Sequence, residues 1–370
     1  MKKSVCHLTS AHTRYDIRIF TKECISLLKN GFNVFLIVSD GKGNEIKDGI
    51  QIIDIGKFFD LARNTSRFTR IRKTQKLILK AALATNADIF HFHDPELMMI
   101  GYILKVFYSK IVIYDVHEDI PRQIFNKPYV KKSLKPFFSK CIEYIEIFFS
   151  KHYSMIVTAT PFIAQRFKKI NPKTINVNNY PLINSSEYQW SDKKNEICYA
   201  GVITVDRGIH QLIQAMEYVT GRLNLAGQFW PESLLTEVSQ YPGWSKVNYL
   251  GVLDKSGVDA MYKRSKVGIV TLLPRTNYLD SLPIKMFEYM MAGIPIIASN
   301  FPYWEDILLK NRCGFCADPE NPVSISQEIN RLLENDSLSQ EMGTNGKFAS
   351  LNYFNWHIEE KTLIQAYSKL

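Results

Sequence analysis

The chain has 370 residues, of which 46% are hydrophobic and 12% aromatic, so extensive disorder is excluded and large apolar cores can form. That length exceeds one ordinary core and predicts two domains. The formal net charge of +10 is concentrated in residues 1–190, which contain 29 Lys and Arg against 16 Asp and Glu, whereas residues 191–370 contain 17 against 20.

The N-terminal segment MKKSVCHLTSAHT lacks the continuous apolar run of a secretory signal. No apolar stretch approaches the roughly 18 residues that a membrane span needs. The six cysteines are scattered, which favours a reduced compartment over a disulfide framework. Cys313 and Cys316 have CxxC spacing, but without a second pair or a nearby histidine we interpret them as two thiols on a short strand. We therefore expect a cytoplasmic protein.

Short apolar runs alternate with amphipathic helical stretches along the chain. Nearly continuous apolar strands separated by helices predict parallel sheets that are covered on both faces. Two such series predict two doubly wound α/β domains. The predicted strands are SVCHLTS, NVFLIVS, IQIIDIG, DIFHFHD, KIVIYDVHE and YSMIVTAT in the first half, and EICYAG, GRLNLAG, VNYLGVL, KVGIVTLLP and IPIIAS in the second. Helical stretches such as DIRIFTKECISLLKNG and GIHQLIQAMEYV lie between most of them.

The domain boundary is predicted in the polar, turn-rich segment NYPLINSSEYQWSDKKNE. We expect an N-terminal Rossmann-like domain at residues 1–180, a linker at 181–195 and a C-terminal Rossmann-like domain at 196–352. The final segment, 353–370, predicts an amphipathic helix that packs back on the first domain.

The stretch DSLPIKMFEYMMAGIPIIAS puts Asp280 before a helix and both Lys285 and Glu288 inside it. Ser281 is the predicted N-cap, Pro283 suits the first turn, and the glycine of the AGIP segment is the predicted helix end. Because the helix follows the strand KVGIVTLLP, its N-terminus lies at the carboxyl edge of a parallel sheet, where anions bind. Lys285 could reach that anion, and Glu288 could accept hydrogen bonds from both hydroxyls of a ribose. The alternative is a surface ion pair between Lys285 and Glu288.

A second strand-to-helix loop lies in CYAGVITVDRGIHQLIQAM. Gly201 permits close approach of a ligand to the backbone, and Arg207 can hold phosphate oxygens through two parallel hydrogen bonds. Two anion sites in one domain suit a nucleoside diphosphate.

The order Gly201, Arg207-Gly208 and Asp280-x7-Glu288, with the tail AGIP, resembles the family 4 glycosyltransferases of the GT-B fold. These are retaining, metal-independent enzymes that use nucleotide sugars. The segments HFHDPELMMIG, IYDVHEDIP and NWHIEEKTLIQAYSKL are similar to the bacterial polysaccharide branch of that family. The resemblance covers nearly the whole chain and implies two Rossmann-like domains that face a cleft.

The resemblance also implies roles for the donor-binding residues. Glu288 would hold the ribose, while Arg207 and Lys285 would neutralise the diphosphate. The nucleotide-binding residues implied in this way are Gly201, Arg207, Ser281, Leu282, Lys285 and Glu288.

The transferred sugar would be contacted by Asp280, by the amides of Ser281 and Leu282, and by His117 from the first domain. Asp280 stands where the family usually has Glu, and Val202 stands where many relatives have Arg. Asp16, at the end of the loop SAHTRYD, and Arg18, two residues later, could face the acceptor. The catalytic residues implied by the resemblance are His117, Asp280, Arg207 and Lys285.

His91 and His93 share one face of a predicted strand, and two histidines with carboxylates can bind zinc. Since no spacing supplies a further closing ligand, we predict no metal site. The alternative for His117 is a histidine that merely orients a loop. The other potential ligands in this region are Asp94, Asp115, His117, Glu118 and Asp119.

The basic excess lies mostly in residues 63–80 and 122–151. In the second segment lysines alternate with aromatic and leucine side chains, a composition that suits an anionic membrane surface. A solvated basic face is the alternative, and nucleic acid is not favoured because no nucleic-acid-binding module is present. The apolar residues are Phe125, Tyr129, Leu134, Phe137 and Phe138, and the lysines are Lys131, Lys132 and Lys135.

The resemblance implies a retaining transfer of sugar from a UDP- or GDP-sugar to a lipid-linked glycan, in surface polysaccharide synthesis (O-antigen, capsule or exopolysaccharide) at the cytoplasmic face of a bacterial membrane. It implies no cofactor besides the donor. Three alternatives stay open: a nucleotide-sugar epimerase or hydrolase of the same fold, a non-catalytic GT-B subunit that binds a partner, and a metal-dependent hydrolase that uses His91 and His93.

Overall fold

The computed structural model describes residues 2–57, 67–127, 130–183 and 189–370. The chain folds into two compact units, one formed by Met1–Asn179 with Trp356–Leu370 and the other by Tyr180–Asn355. Each unit is built on a mainly parallel sheet. This confirms the predicted α/β class with two doubly wound domains.

The first unit contains an eight-stranded sheet with the order β3-β4-β2-β1-β5-β6-β7-β8. Only β3 and β4 pair in antiparallel orientation among the strands described. The strands are β1 (Ser4–Leu8), β2 (Asn33–Val38), β3 (Glu45–Lys47), β4 (Ile50–Asp54), β5 (Ile89–Phe92), β6 (Ile111–Val116), β7 (Met155–Thr158) and β8 (Thr174–Asn176).

Helices connect these strands, as the alternating pattern predicts. The stretch predicted as one helix after β1 is instead a π-helix, Ile17–Cys24, followed by a short α-helix. The α-helices are α1 (Ile25–Lys29), α2 (Arg67–Ala84), α3 (Met98–Val106), α4 (Ile120–Gln123), α5 (Lys135–Ser150) and α6 (Pro161–Lys168). Single 3₁₀ turns lie at Pro95–Leu97, Ile124–Asn126 and Lys132–Leu134.

The two faces of the first sheet pack in two separate cores. Cys6 and Leu8 of β1 face the core beneath α2 and α3, whereas Val5 faces the core beneath the π-helix and α1. Since side chains alternate along a strand, His7 lies on the same face as Val5. This places polar residues of the central strands under the π-helix.

The second unit contains six parallel strands in the order β11-β10-β9-β12-β13-β14. The chain moves outward from β9 on one side and from β12 on the other, so the topological switch point lies between these two central strands. The strands are β9 (Lys194–Ala200), β10 (Arg222–Ala226), β11 (Val247–Gly251), β12 (Ser265–Val270), β13 (Ile296–Ser299) and β14 (Gly314–Ala317).

Seven helices of the second unit cover both faces of its sheet in the described part of the chain. They are α7 (Ile209–Ala215), α8 (Ser233–Val238), α9 (Lys255–Arg264), α10 (Ile284–Met291), α11 (Pro302–Asn311), α12 (Pro322–Leu333) and α13 (Asp336–Asn352). The 3₁₀ turns are Trp190–Asp192, Val205–Arg207, Met216–Tyr218 and Pro242–Lys246.

The last helix, α14 (Trp356–Tyr367), belongs to the first unit. The indole of Trp356 donates a hydrogen bond to Oγ of Ser26 at 3.0 Å, and Glu359 accepts one from the backbone of Asn178 at 2.8 Å. Among the helices described, none combines the length and the hydropathy that crossing a membrane requires.

Candidate functional site

Two loops meet at the switch point of the second unit. Gly208 precedes α7 and has a φ of 72°. Its backbone lies so close to the loop after β12 that a β-carbon on Gly208 would be 2.1 Å from the carbonyl oxygen of Thr271. The backbone N–H of Leu273 donates to the carbonyl of Asp206 at 3.0 Å. The loop after β9 and the loop after β12 are therefore held against each other at the carboxyl edge of the sheet.

Three predicted residues come together where β9 ends. Gly201 has φ 149°, and a β-carbon on it would lie 2.4 Å from Cε and 2.9 Å from Nζ of Lys285. The same position is 3.6 Å from Nη1 of Arg207. Because residue 201 has no side chain, two cationic groups lie over the end of a central strand.

The electrostatics of this cluster favour an anion. Burial lowers the pKa of Lys285, and the charge of Arg207 lowers it further, while Glu288 raises it. An anion between the two cations relieves their repulsion, and the N–H groups at the start of α10 add positive potential. The geometry suits a phosphate or diphosphate.

Glu288 lies one turn after Lys285 in α10. Both side chains are half-buried, and Lys285 lies against Gly201 rather than on an open helix surface, which disfavours the surface ion pair. The hydroxyl of Tyr262 donates to Oε2 of Glu288 at 3.3 Å. One oxygen of the carboxylate is thereby oriented, and the group retains acceptor capacity for hydroxyls.

The predicted N-cap is wrong. Helix α10 begins at Ile284 after Pro283, while the N–H and the hydroxyl of Ser281 both donate to the carbonyl of Tyr278, at 3.0 and 2.9 Å. The carbonyl of Ser281 in turn accepts a hydrogen bond from the indole of Trp304 at 2.7 Å. A tight turn thus uses the amide that was expected to contact a sugar.

The neighbouring loop residues have different surroundings. Asp280 is half-buried in the same turn, and the side chain of Leu282 packs on the core beneath α10. Gly293 ends the helix region with φ 63° and donates its N–H to the carbonyl of Met290 at 3.0 Å, which confirms the predicted stop.

His117 lies apart from these residues in sequence, in the first unit after β6. Its Nε2 is 2.8 Å from Oδ2 of Asp115 and 3.2 Å from Nδ1 of His93. Asp115 also accepts two hydrogen bonds from Arg18, at 2.9 and 2.8 Å. The side chain of Arg18 is only 4% exposed, so the expectation that it faces an acceptor is wrong.

Three residues of this cluster, Asp115, His93 and Glu23, have pKa values far from their usual ranges. Burial opposes the charge of Asp115, but Arg18 and the histidine hydrogen bonds hold the pKa of that carboxyl well below its usual range. Burial lowers the pKa of His93 to about 4. Burial and the charge of Asp115 raise the pKa of Glu23 well above its usual range.

Two residues of this cluster, His7 and Glu23, were not predicted from the sequence. His7 pairs with His91 in the parallel register of β1 and β5, and Glu23 faces the sheet from the π-helix. Strand alternation could have assigned His7 to a buried face, but the neighbouring strand was not identifiable from the sequence. Nothing in the pattern predicted a π-helix.

The second basic segment forms a partly apolar surface on α5. Phe137, Tyr144 and Phe148 are 64%, 71% and 54% exposed, and their spacing of seven and then four residues puts them on one helix face. Residues 63–66 and Tyr129, also predicted as basic or aromatic surface, lie outside the described residues. The exposed lysines near this face are Lys131, Lys132, Lys140 and Lys151.

Residues 183–348 match the protein family described as glycosyl transferases group 1. The matched segment lies within the second unit. The matched segment contains the Gly201, Arg207 and Lys285 cluster.

Two relatives are similar at low identity. An uncharacterized glycosyltransferase of Methanocaldococcus jannaschii is 24% identical over 181 residues, which are 48% of this chain and 45% of the archaeal protein. The capsular polysaccharide biosynthesis glycosyltransferase CapM of Staphylococcus aureus is 20% identical over 371 residues, which are 92% of this chain and 91% of CapM. The chain thus spans about half the length of the archaeal relative and nearly all of CapM.

Solved structures share the fold across both units. Sucrose-phosphate synthase from Thermosynechococcus elongatus has a TM-score of 0.78 at 14% identity, covering 100% of this chain and 99% of that one. HepE of Anabaena, in complex with UDP, has a TM-score of 0.71 at 12% identity and covers 100% of both chains. WaaG, a glycosyltransferase involved in lipopolysaccharide biosynthesis, has a TM-score of 0.71 at 11% identity and covers 97% and 98%. The chain therefore has the GT-B architecture.

Proposed function

We propose that this protein is a retaining, metal-independent glycosyltransferase that moves a sugar from a UDP- or GDP-sugar to a hydroxyl of a lipid-linked glycan in surface polysaccharide assembly. The observation that carries the proposal is the pair of cations, Arg207 and Lys285, lying over Gly201 at the switch point of the second unit. The group 1 glycosyltransferase domain and the UDP complex of HepE support the donor class.

In the proposed complex the diphosphate lies between Arg207, Lys285 and the first N–H groups of α10. Glu288 accepts hydrogen bonds from the ribose hydroxyls. Asp280 and the Leu282 amide contact the transferred sugar, and the sugar contact of His117 stays a prediction from the resemblance. The Ser281 amide joins them only if its bond to the Tyr278 carbonyl opens.

The difficult step is departure of the nucleoside diphosphate. The bond between the anomeric carbon and the leaving phosphate oxygen breaks while the acceptor oxygen forms a new bond to the same face of that carbon. The leaving phosphate oxygen takes the acceptor proton. Arg207, Lys285 and the α10 N-terminus stabilise the charge that develops on the diphosphate, which lowers the barrier more than it strengthens donor binding.

For the acceptor, we propose a lipid-linked glycan at an anionic membrane surface. The exposed aromatic face of α5 and the lysines beside it suit the interfacial region of a bilayer. CapM and WaaG, whose names refer to capsular polysaccharide and lipopolysaccharide, support this class of acceptor.

The testing experiment measures UDP and GDP affinities by calorimetry for the wild type, Arg207→Ala and Glu288→Ala. We expect a loss of about tenfold or more in each variant, because each removes a charge-assisted contact. Arg222→Ala, which removes an exposed arginine at the opposite end of β10, is the matched control and should bind like the wild type. Undiminished binding by both site variants contradicts the site.

Activity assays then separate the reaction classes. Transfer to a lipid-linked acceptor, with the configuration at the anomeric carbon retained, supports the proposal. Free sugar or an epimerised donor, formed without acceptor, indicates a hydrolase or epimerase. Nucleotide binding without turnover on any acceptor indicates a non-catalytic subunit.

A further inference from the structure

The first unit contains four buried donor groups that converge on one point, namely His7, Glu23, His91 and His93. They are between 0% and 3% exposed. Oε2 of Glu23 lies 3.9 Å from Nδ1 of His7, 3.9 Å from Nδ1 of His91 and 4.0 Å from Nε2 of His93. One donor atom from each of the four lies within 4.8 Å of the other three.

The fold builds this cluster from three elements. Strands β1 and β5 pair His7 with His91, and His93 follows two residues later on the same face. The π-helix supplies Glu23, and its i→i+5 hydrogen bonding allows Arg18 and Glu23 to face the sheet together, with Arg18 Nε 3.2 Å from Oε1 of Glu23. Residues distant in sequence are therefore brought to a single point in the core.

The cluster is incompletely satisfied by the protein itself. In the described part of the chain, neither carboxylate oxygen of Glu23 completes a hydrogen bond, although Arg18 forms an ion pair with Oε1. Buried polar groups without hydrogen bonds are costly, and apolar side chains would fill the same space more favourably. The cluster therefore needs an explanation other than packing.

We propose that His7, Glu23, His91 and His93 form a tetrahedral site for a divalent metal ion, with zinc as the preferred ion. Three imidazoles and one carboxylate are a donor set that zinc favours. Bonds of about 2.0–2.1 Å imply donor separations of about 3.4 Å. The distance of 2.9 Å between Nδ1 of His7 and Nε2 of His93 is shorter than that value. The distances of 3.9 and 4.0 Å from Oε2 of Glu23 to these two nitrogens are longer.

The surroundings of His93 fit a metal ligand. Its Nε2 faces the cluster, while its Nδ1 lies 3.1 Å from Oδ2 of Asp115, which is the carboxylate–histidine arrangement that orients ligands in metal sites. Arg18 fixes Asp115 through two hydrogen bonds. His93 also contacts His117, whose side chain is 18% exposed.

Metal binding would replace two existing hydrogen bonds. The short contact between His7 and His93 holds a proton that the metal displaces. The hydroxyl of Tyr367, now 2.7 Å from Nδ1 of His91, turns away from that nitrogen. The bound ion joins β1, β5 and the π-helix and contributes to stability, and it takes no part in the donor chemistry of the second unit.

The test uses the full-length protein, freed of metal with a chelator, incubated with zinc sulfate and desalted. We expect elemental analysis to find about one zinc ion per chain in the wild type. Glu23→Gln, which preserves shape but removes the anionic ligand, should weaken zinc binding by about 100-fold or more. Substitution with Co²⁺ should give the intense visible absorption of a tetrahedral site in the wild type but not in Glu23→Gln.

Two variants control for damage to the core and for surface binding. Tyr367→Phe alters the same core but keeps all four ligands, so it should retain the zinc. His210→Ala removes a histidine that contacts Tyr241 in the second unit, and it should also retain the zinc. If the wild type holds no zinc, or if Glu23→Gln holds as much as the wild type, the proposal is overturned. Nucleotide affinity, measured on the same samples, tests the proposed function separately.

Discussion

Cε of Lys285 lies 2.4 Å from the position that a β-carbon on Gly201 would occupy. We therefore expect Gly201→Ala to push the lysine away from the proposed anion site, because the contacted atoms are the far end of a flexible side chain. The substitution should reduce the affinity for UDP or GDP by about tenfold or more, as measured by calorimetry. The fold should persist, since the strain of a side chain at φ 149° costs about 1–3 kcal/mol.

Gly251→Ala is the control for that backbone strain. Gly251 also has a positive φ, 63°, but a β-carbon there meets nothing within 4 Å. It should lose stability without losing nucleotide affinity. An equal loss of affinity in both variants would show that the contact with Lys285 is unimportant.

The pH dependence of nucleotide binding provides a second prediction. Burial and the charge of Arg207 lower the pKa of Lys285. The lysine is cationic below its pKa, so affinity for a diphosphate should fall as pH rises, beginning at a lower pH than for an ordinary lysine. Because the bound anion favours the cation, binding should take up protons, which calorimetry in buffers of different ionisation enthalpy detects.

Lys285→Arg separates this effect from other titrations. An arginine stays charged throughout the range from about pH 7 to about pH 10, so the variant should bind with much weaker pH dependence. A fall in affinity of the same size in both proteins would assign the titration to another group.

The sequence predicted the fold because its signal is repeated along the chain. Each sheet contains several apolar strands, and strands such as β2, with the sequence NVFLIV, consist almost entirely of apolar residues. The convergence of Gly201, Arg207 and Lys285 was also predictable, because each lies at a predictable end of a strand or helix. Such ends meet at one sheet edge in any doubly wound domain.

Features that depend on tertiary contacts were not predictable. Serine has the intrinsic preference for an N-cap, yet Ser281 is instead engaged with Tyr278 and Trp304, which local sequence does not reveal. His7 and Glu23 reach one cluster only through the pairing of β1 with β5 and through a π-helix. Neither feature leaves a periodic pattern.

Glu146 provides a prediction about stability. Burial raises its pKa to about 7, against the opposing charge of Arg166, whose Nη1 lies 2.8 Å from Oε2. The folded protein therefore binds a proton that the unfolded chain releases, and stability from this group is lost as pH rises from about 4.5 through about 7. Glu146→Gln, which stays neutral, should gain up to about 3 kcal/mol relative to the wild type between pH 5 and pH 8. Unfolding by denaturant at pH 5 and at pH 8 measures the difference in stability between the variant and the wild type. A difference that is the same at both pH values contradicts the prediction.

The aromatic face of α5 provides the last prediction. If Phe137 and Phe148 insert into a bilayer interface, their replacement by serine should reduce binding to anionic phospholipid vesicles by about tenfold or more, because each exposed ring loses its apolar burial. Sedimentation with vesicles measures the bound fraction.

The matched control is Phe348→Ser, which removes a phenylalanine that is 61% exposed on α13 of the second unit, and it should bind like the wild type. Neutral vesicles should bind the wild type more weakly, since the lysines beside α5 then lack an anionic partner. Equal binding by the α5 double variant and the wild type would mean that this surface does not contact the membrane.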